Sequence, residues 1–297
     1  MAHDPLDPAH LIGHVQDSTY FEVPRSLGGK IEIPQFYHGQ ALVTPKTSMI
    51  EPFDLKVTKF MVIEAVAALL VLMIAIPLAN KVAGGRVPRG RLWNALESIL
   101  LFLRDEVARP AIGHHDADKF LPFLWTIFFF VLACNLLGMV PWLGSPTGAI
   151  GATGALAFMT FAVVVGAGSK KMGPVGFWKA QVPHMDVPFV LGIFLKPMVF
   201  AIEVVGLLIK HFVLAVRLLA NMFAGHLVLG VLVAFVAAVA GHAAVQSYFH
   251  PLFMGVTAAS VFGAAALSLL ELFVAFLQAY IFTFLSALFI GMAVHPH

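Results

Sequence analysis

The sequence predicts an all-α membrane protein: five membrane-crossing helices plus one interfacial amphipathic helix, the last two crossing helices long and tilted. Three observations predict it. Hydrophobic residues make up 60% of the 297 positions and charged residues only 11%, and the mean hydropathy is +0.90, which sets the chain apart from soluble domains. Five apolar runs are long enough to cross a hydrocarbon core, which takes about 20 residues of helix. Lysine and arginine gather in alternate connections between those runs, the pattern of cytoplasmic loops.

Residues 1–58 form an N-terminal extramembrane segment and residues 59–297 the helical membrane domain. The segment is polar and turn-rich, with Asp4, Pro5, Asp7 and Pro8 early and no apolar h-region. No signal peptide is therefore expected. Alternation at Ile31, Ile33 and Phe36 allows a little strand. His3, His10 and His14 match no metal-binding spacing and read as a solvated tail. The single cysteine, Cys134, excludes an internal disulfide and a cysteine metal cluster; it reads as a small buried hydrophobe.

The first span covers about Phe60–Ala79, with Glu64 within reach of the interface. A basic Gly/Pro turn follows. Over residues 91–109, apolar Leu92, Leu96, Ile99, Leu100, Leu103 and Val107 oppose polar Asn94, Glu97, Ser98 and Asp105, the pattern of a helix lying along a membrane surface. The second span runs from Phe120 to about Leu143, closed by Gly138, Pro141 and Trp142. The third, about Ala149–Gly166, is rich in Gly, Ala and Thr, which permits close helix contact. Two overlong runs end the chain, Phe189 to about Val239 and Pro251–Val294. A steeply tilted helix, or an in-plane piece leading into a span, fits such lengths.

Seven Lys/Arg lie between the first and second spans and four more precede or open the fourth, while the turns at 141–148 and 241–250 have none. This places the N-terminus outside, periplasmic in a bacterium, and the C-terminus in the cytoplasm.

The fourth run carries the functional signal. Glu203, Lys210 and Arg217 are spaced by seven, about two turns each, and so share one face. Asn221 extends that face, and His226 points to the opposite side. An arginine at mid-membrane costs about 2.5–3.5 kcal/mol on insertion scales and cannot shed the cost by deprotonation. A chain that keeps one uses its charge. Lys210 reads equally as a snorkelling interfacial residue; His211 reads as structural. His242 and His250 lie in the last outer loop, as candidates for lining an entrance from outside.

RLLANMFAGH around Arg217, NLLGMVP at Asn135–Pro141 and ELFVAFLQAYIF at Glu271–Phe282 resemble subunit a of the F-type ATP synthase. The resemblance covers about residues 58–294. It implies a stator subunit of the Fo sector, not an enzyme by itself, in a hetero-oligomeric complex of the bacterial inner membrane. Its partners would be a ring of c subunits, b-type peripheral stalk subunits and membrane lipids, with no nucleic acid and no cofactor or metal. By matching position, Arg217 is the essential arginine, and Asn221, His226, Glu271 and Gln278 belong to the proton path. Glu203 and Lys210 fall on polar positions of the family. Some bacterial relatives carry the acid at the place of His226 and a histidine at that of Glu271; this chain has the exchanged arrangement.

Helix geometry refines that assignment. His226 lies about 13 Å outward of Arg217, and Glu203 about 21 Å inward of it. Glu271 is about 10 Å outward of Gln278 on the same face. If Gln278 stands level with Arg217, Glu271 and His226 reach nearly the same depth in the outer half. Ser260, Ala264, Ser268 and Ala275 near the Glu271 face leave room for water.

Other function classes fit less well. A secondary transporter is expected to show a repeated half with broken helices, and no internal repeat is visible. A haem carrier needs paired axial histidines, but only His211 and His226 stand in apolar runs, fifteen residues apart on one helix. No GxxxxGK[ST] phosphate loop is present.

Overall fold

A computed structural model of the chain describes residues 17–22, 29–35, 56–83, 90–140, 143–182, 189–241 and 251–295. Two short strands, β1 (Tyr20–Glu22) and β2 (Lys30–Glu32), pair antiparallel with Phe21 opposite Ile31. Of the positions expected to form strand, Ile31 lies in β2, Ile33 just beyond its end, and Phe36 outside the described residues. The helices are α1 (Lys59–Ala83), α2 (Arg91–Phe102), α3 (Arg109–Ile112), α4 (Ala117–Gly138), α5 (Ile150–Met172), α6 (Pro174–Ala180), α7 (Phe189–Ala240) and α8 (Pro251–Val294). Five of them, α1, α4, α5, α7 and α8, are long and apolar enough to cross a membrane, as the apolar runs predict. The two overlong runs are each one continuous helix; Pro197 lies inside α7 without ending it.

Two boundaries differ from expectation. α4 stops at Gly138 rather than near residue 143, because the chain folds back there: a Cβ on Gly138 would stand 2.6 Å from Ser145 Oγ. The amphipathic stretch is not one regular helix. After α2 it widens into a π-helical turn over Leu103–Ala108 before α3. The wider turn keeps Leu103, Val107 and Ile112, four and five residues apart, buried together. Such turns carry an extra residue per turn inside a helix. Trp125 Nε1 donates to Leu100 O at 3.2 Å beside this transition.

The residues cluster into two compact units. The first draws on the chain up to Leu69, Cys134–Ala149 and Met222–Leu272. Here the strand pair is tied to the start of α1: Lys59 N donates to Ser18 O at 2.8 Å and Phe60 N to Asp17 Oδ1 at 3.3 Å. The Asp17 carboxylate thereby satisfies a free amide at a helix N-terminus, where negative charge is favoured. Val57 N and O bond to the Gln35 amide at 2.9 and 3.0 Å. Phe60, Ile63, Ala67, Cys134 and Met222 are buried in this unit. Asn135, Ser145 and Thr147 form a buried polar group, with Thr147 Oγ1 donating to Asn135 Oδ1 at 2.8 Å and lying 2.9 Å from Ser145 Oγ.

The second unit comprises Leu70–Ala133, Ile150–Asn221 and Phe273–His297, with Leu103, Leu124, Leu214, Leu218, Phe282 and Ile290 buried. Its polar end is an ion-pair knot. Asp116 pairs with Lys119 at 2.7 Å and Lys171 at 2.8 Å, and His295 stands 3.8 Å away. Lys119 first and Lys171 second hold the Asp116 carboxyl well below the usual carboxylate range. His295 Nε2 also lies 3.1 Å from Ile112 O. Next to it, a Cβ on Gly291 would collide with the Ala111 carbonyl. Gly291→Val therefore prevents the end of α8 from seating on α3. Overpacking of this kind costs about 1–3 kcal/mol or more; lower amounts of folded protein in membranes and a lower unfolding temperature in detergent check it.

Candidate functional site

α7 and α8 run antiparallel in each unit. In the second, Asn221 meets Gln278 and His211 packs on Phe289; in the first, Gly225 meets Glu271 and Gly263 faces Leu232. In every pair the α8 number falls as the α7 number rises. A helix returning after a short loop has this direction, and the pairs set its register.

In the second unit Asn221 Nδ2 donates to Gln278 Oε1 at 2.9 Å. Gln278 is 2% exposed, and its Nε2 is buried without a hydrogen-bond partner. Gln278 thus meets Asn221, one turn beyond the level of Arg217 that the sequence geometry took as its reference. Arg217 itself is half-buried, and among the described residues no carboxylate pairs with it. Glu203 is half-buried and Lys210 exposed; no hydrogen bond or ion pair joins either of them to Arg217 among the described residues. His211 is 4% exposed. Its Nδ1 lies 2.8 Å from Leu207 O and its ring is flanked by Phe161 and Phe289 at 5.3 and 5.0 Å, in keeping with a structural role.

In the first unit Glu271 is 6% exposed and its Oε1 has no hydrogen-bond partner. The reason it can approach α7 is Gly225. A Cβ there would lie 2.6 Å from Glu271 Oε1, so any side chain at 225 must displace the acid. Glu271 therefore does reach the level of His226, the next residue along α7. The two are not joined, however: His226 Nε2 is buried with no hydrogen-bond partner. Ser260 and Ala275 are buried on the same helix. Sequence reasoning included Gly225 in a motif without giving it a task. The signal that identifies it is a small residue facing a buried acid across two helices. His242, His250, His3, His10 and His14 lie outside the described residues. Among the described residues no group of three or more His, Cys, Asp or Glu could hold a metal ion.

The family model for the ATP synthase A chain matches residues 60–291. The chain belongs to the ATP synthase A chain family. It is 43% identical to ATP synthase subunit a of Myxococcus xanthus over 247 residues, 82% of this chain and 76% of that one. It is 37% identical to ATP synthase subunit a of Chloroherpeton thalassium over 301 residues, covering 98% and 78%. With the corresponding protein of Anaeromyxobacter dehalogenans strain 2CP-C it shares 34% over 307 residues, covering 99% and 72%. Family membership and five apolar helices make it an integral membrane protein, a non-catalytic subunit of a hetero-oligomeric complex.

Two outcomes follow for this pair of helices. Gly225→Ala pushes the Glu271 carboxylate from its place, and overpacking of this kind costs about 1–3 kcal/mol; a lower unfolding temperature in detergent checks it. Asn221→Ala and Gln278→Ala are non-additive, because groups in one hydrogen bond couple by about 0.5–3 kcal/mol. A double-mutant cycle on unfolding in detergent checks this, and strictly additive losses would contradict the pairing.

Proposed function

We propose that this chain is the proton-translocating stator subunit of the Fo sector, holding two aqueous half-channels and presenting Arg217 to a ring of c subunits. The observation that carries the reading is the family match across residues 60–291, which includes the only arginine within the long apolar helices. The partners are that ring and b-type peripheral stalk subunits, in a bacterial inner membrane. The N-terminus is periplasmic and the C-terminus cytoplasmic, from the distribution of Lys and Arg.

A proton arrives from outside, passes the Glu271 and His226 level, and neutralises a carboxylate brought by the ring. Buried side-chain atoms without partners at Glu271, His226 and Gln278 support this, since each is a group that water or a transferred proton would satisfy. The neutral acid can then move through lipid, where an ionised one is costly. On its return it loses the proton to an inner path near Glu203 and Lys210. Arg217 favours the ionised carboxylate by about 4 kcal/mol at 4 Å and an effective dielectric of 20, an upper-end figure. Having no carboxylate partner of its own among the described residues, it is suited to pair with one from another chain. Its permanent charge also bars protons from leaking directly between the half-channels. Each proton crossing 100 mV releases about 2.3 kcal/mol, so several drive each ATP.

Arg217→Ala is expected to abolish both ATP-driven pumping and proton-driven synthesis while leaving assembly largely intact. Arg217→Lys rescues poorly, because an ammonium lacks the planar fork and loses its proton more readily when buried. Full coupled activity in Arg217→Ala would refute the assignment. For orientation, cysteines introduced at positions 86 and 171, with Cys134 replaced, react with an impermeant thiol reagent only from the cytoplasmic side, and one at 145 only from outside. The reverse pattern overturns the direction of proton flow.

A further inference from the structure

Glu64 is the one acid of the membrane-crossing helices that the proposed path leaves unused, apart from Asp118 at the charged start of α4. Its position, one turn into α1, suggests a carboxylate reaching back to the interface. The structure gives it another direction. Glu64 stands on the face of α1 made by Phe60, Ile63 and Ala67, which are 3%, 1% and 0% exposed, at the i, i+3, i+4, i+7 spacing of a single stripe. Met61, Val66 and Leu69, on the other faces, are the exposed ones. Glu64 is half-buried. Phe60, on the same stripe, stands against Gly144, where an added Cβ would lie 3.1 Å from its ring. The stripe that carries the acid is turned toward the protein, not toward lipid.

The segment that this stripe meets is polar one residue beyond Gly144. Ser145 lies beside Thr147, which donates to Asn135, and all three are buried. All of these, with Glu271 and His226, belong to one compact unit. Two other charged groups stand near the same end of α1. The Asp17 carboxylate caps Phe60; the Lys59 ammonium sits 5.2 Å over the Phe60 ring. Hydrocarbon gives a carboxylate no reason to be held on an inward face unless water or a partner reaches it.

We propose that Glu64 is the outermost proton-binding group of the inlet, collecting protons on the side where α1 begins and passing them through water toward the Asn135–Thr147–Ser145 group. This rests on the function proposed above. The chemistry is a proton transfer only: an O–H bond forms between a proton from outer water and a Glu64 oxygen, and the same bond breaks as the proton leaves to the next water.

The test uses the complete ATP synthase in membrane vesicles. Glu64→Gln is expected to slow proton-driven synthesis by about three- to tenfold, the size of coupling within one polar network, and most at high outer pH, where protons are scarce. Glu64→Asp restores most of the rate. Glu64→Cys, with Cys134→Ser, reacts with a hydrophilic thiol reagent from the outer side. Rates equal to the unaltered enzyme at every outer pH overturn the proposal, as does reaction from neither side or only from the cytoplasm. If Glu64→Gln does not assemble, the labelling result decides alone. Arg217→Ala in the same vesicles separates the two readings: loss of activity there with an unaffected Glu64→Gln sinks the inlet role only, whereas full activity sinks the stator function as well.

Discussion

Everything distinctive in this chain depends on the antiparallel register of α7 and α8. In one unit it is held by the Asn221–Gln278 hydrogen bond, in the other by the close approach of Glu271 to Gly225. Both contacts place polar atoms where neighbouring side chains are apolar. There an unpaired amide or carboxyl costs more than in water, so a slip of one turn would strand several groups at once. Register is therefore specified by one hydrogen bond and one close fit against a glycine.

Small residues make that pairing feasible. Gly225 makes way for an acid, Gly138 for the hydroxyl of Ser145, and Gly291 for a backbone carbonyl. Helices in lipid gain little from apolar burial against one another, because the tails are as apolar as leucine. Close contact then has to come from missing side chains. The abundance of exposed Leu, Phe, Val and Met on α1, α7 and α8 is the other half of the same fact: those faces are built for hydrocarbon or for apolar partners.

The charged residues follow a second rule. At the ends of α4 and α5, Lys119 and Lys171 are neutralised by Asp116. Arg217 has no carboxylate partner among the described residues, and Glu271 keeps an unpartnered oxygen. Groups that are left unsatisfied inside a membrane protein are expensive and mark function. The ion pairs around Asp116 are satisfied, whereas His226, Glu271 and Gln278 keep unpartnered atoms along α7 and α8; the proposed proton path runs along the second set.

By itself the sequence determined the fold class and the number of crossing helices, and it singled out the charged positions proposed for the proton path. Hydropathy and length are one-dimensional properties, and a charge within an apolar run is visible without coordinates. Seven-residue spacing also put Glu203, Lys210 and Arg217 on one face, since helical pitch is local. Tertiary structure decided which residues meet. That Gln278 pairs with Asn221 and not level with Arg217, that Glu271 rests against Gly225 with His226 unjoined, and that the α1 stripe carrying Glu64 packs inward are all relations between elements. The π-helical turn after Phe102 belongs here too: Leu103, Val107 and Ile112 share a buried face only because the surrounding helices require it. No periodicity within a single helix encodes the rotation and offset of its neighbour; packing and polar pairing set those together.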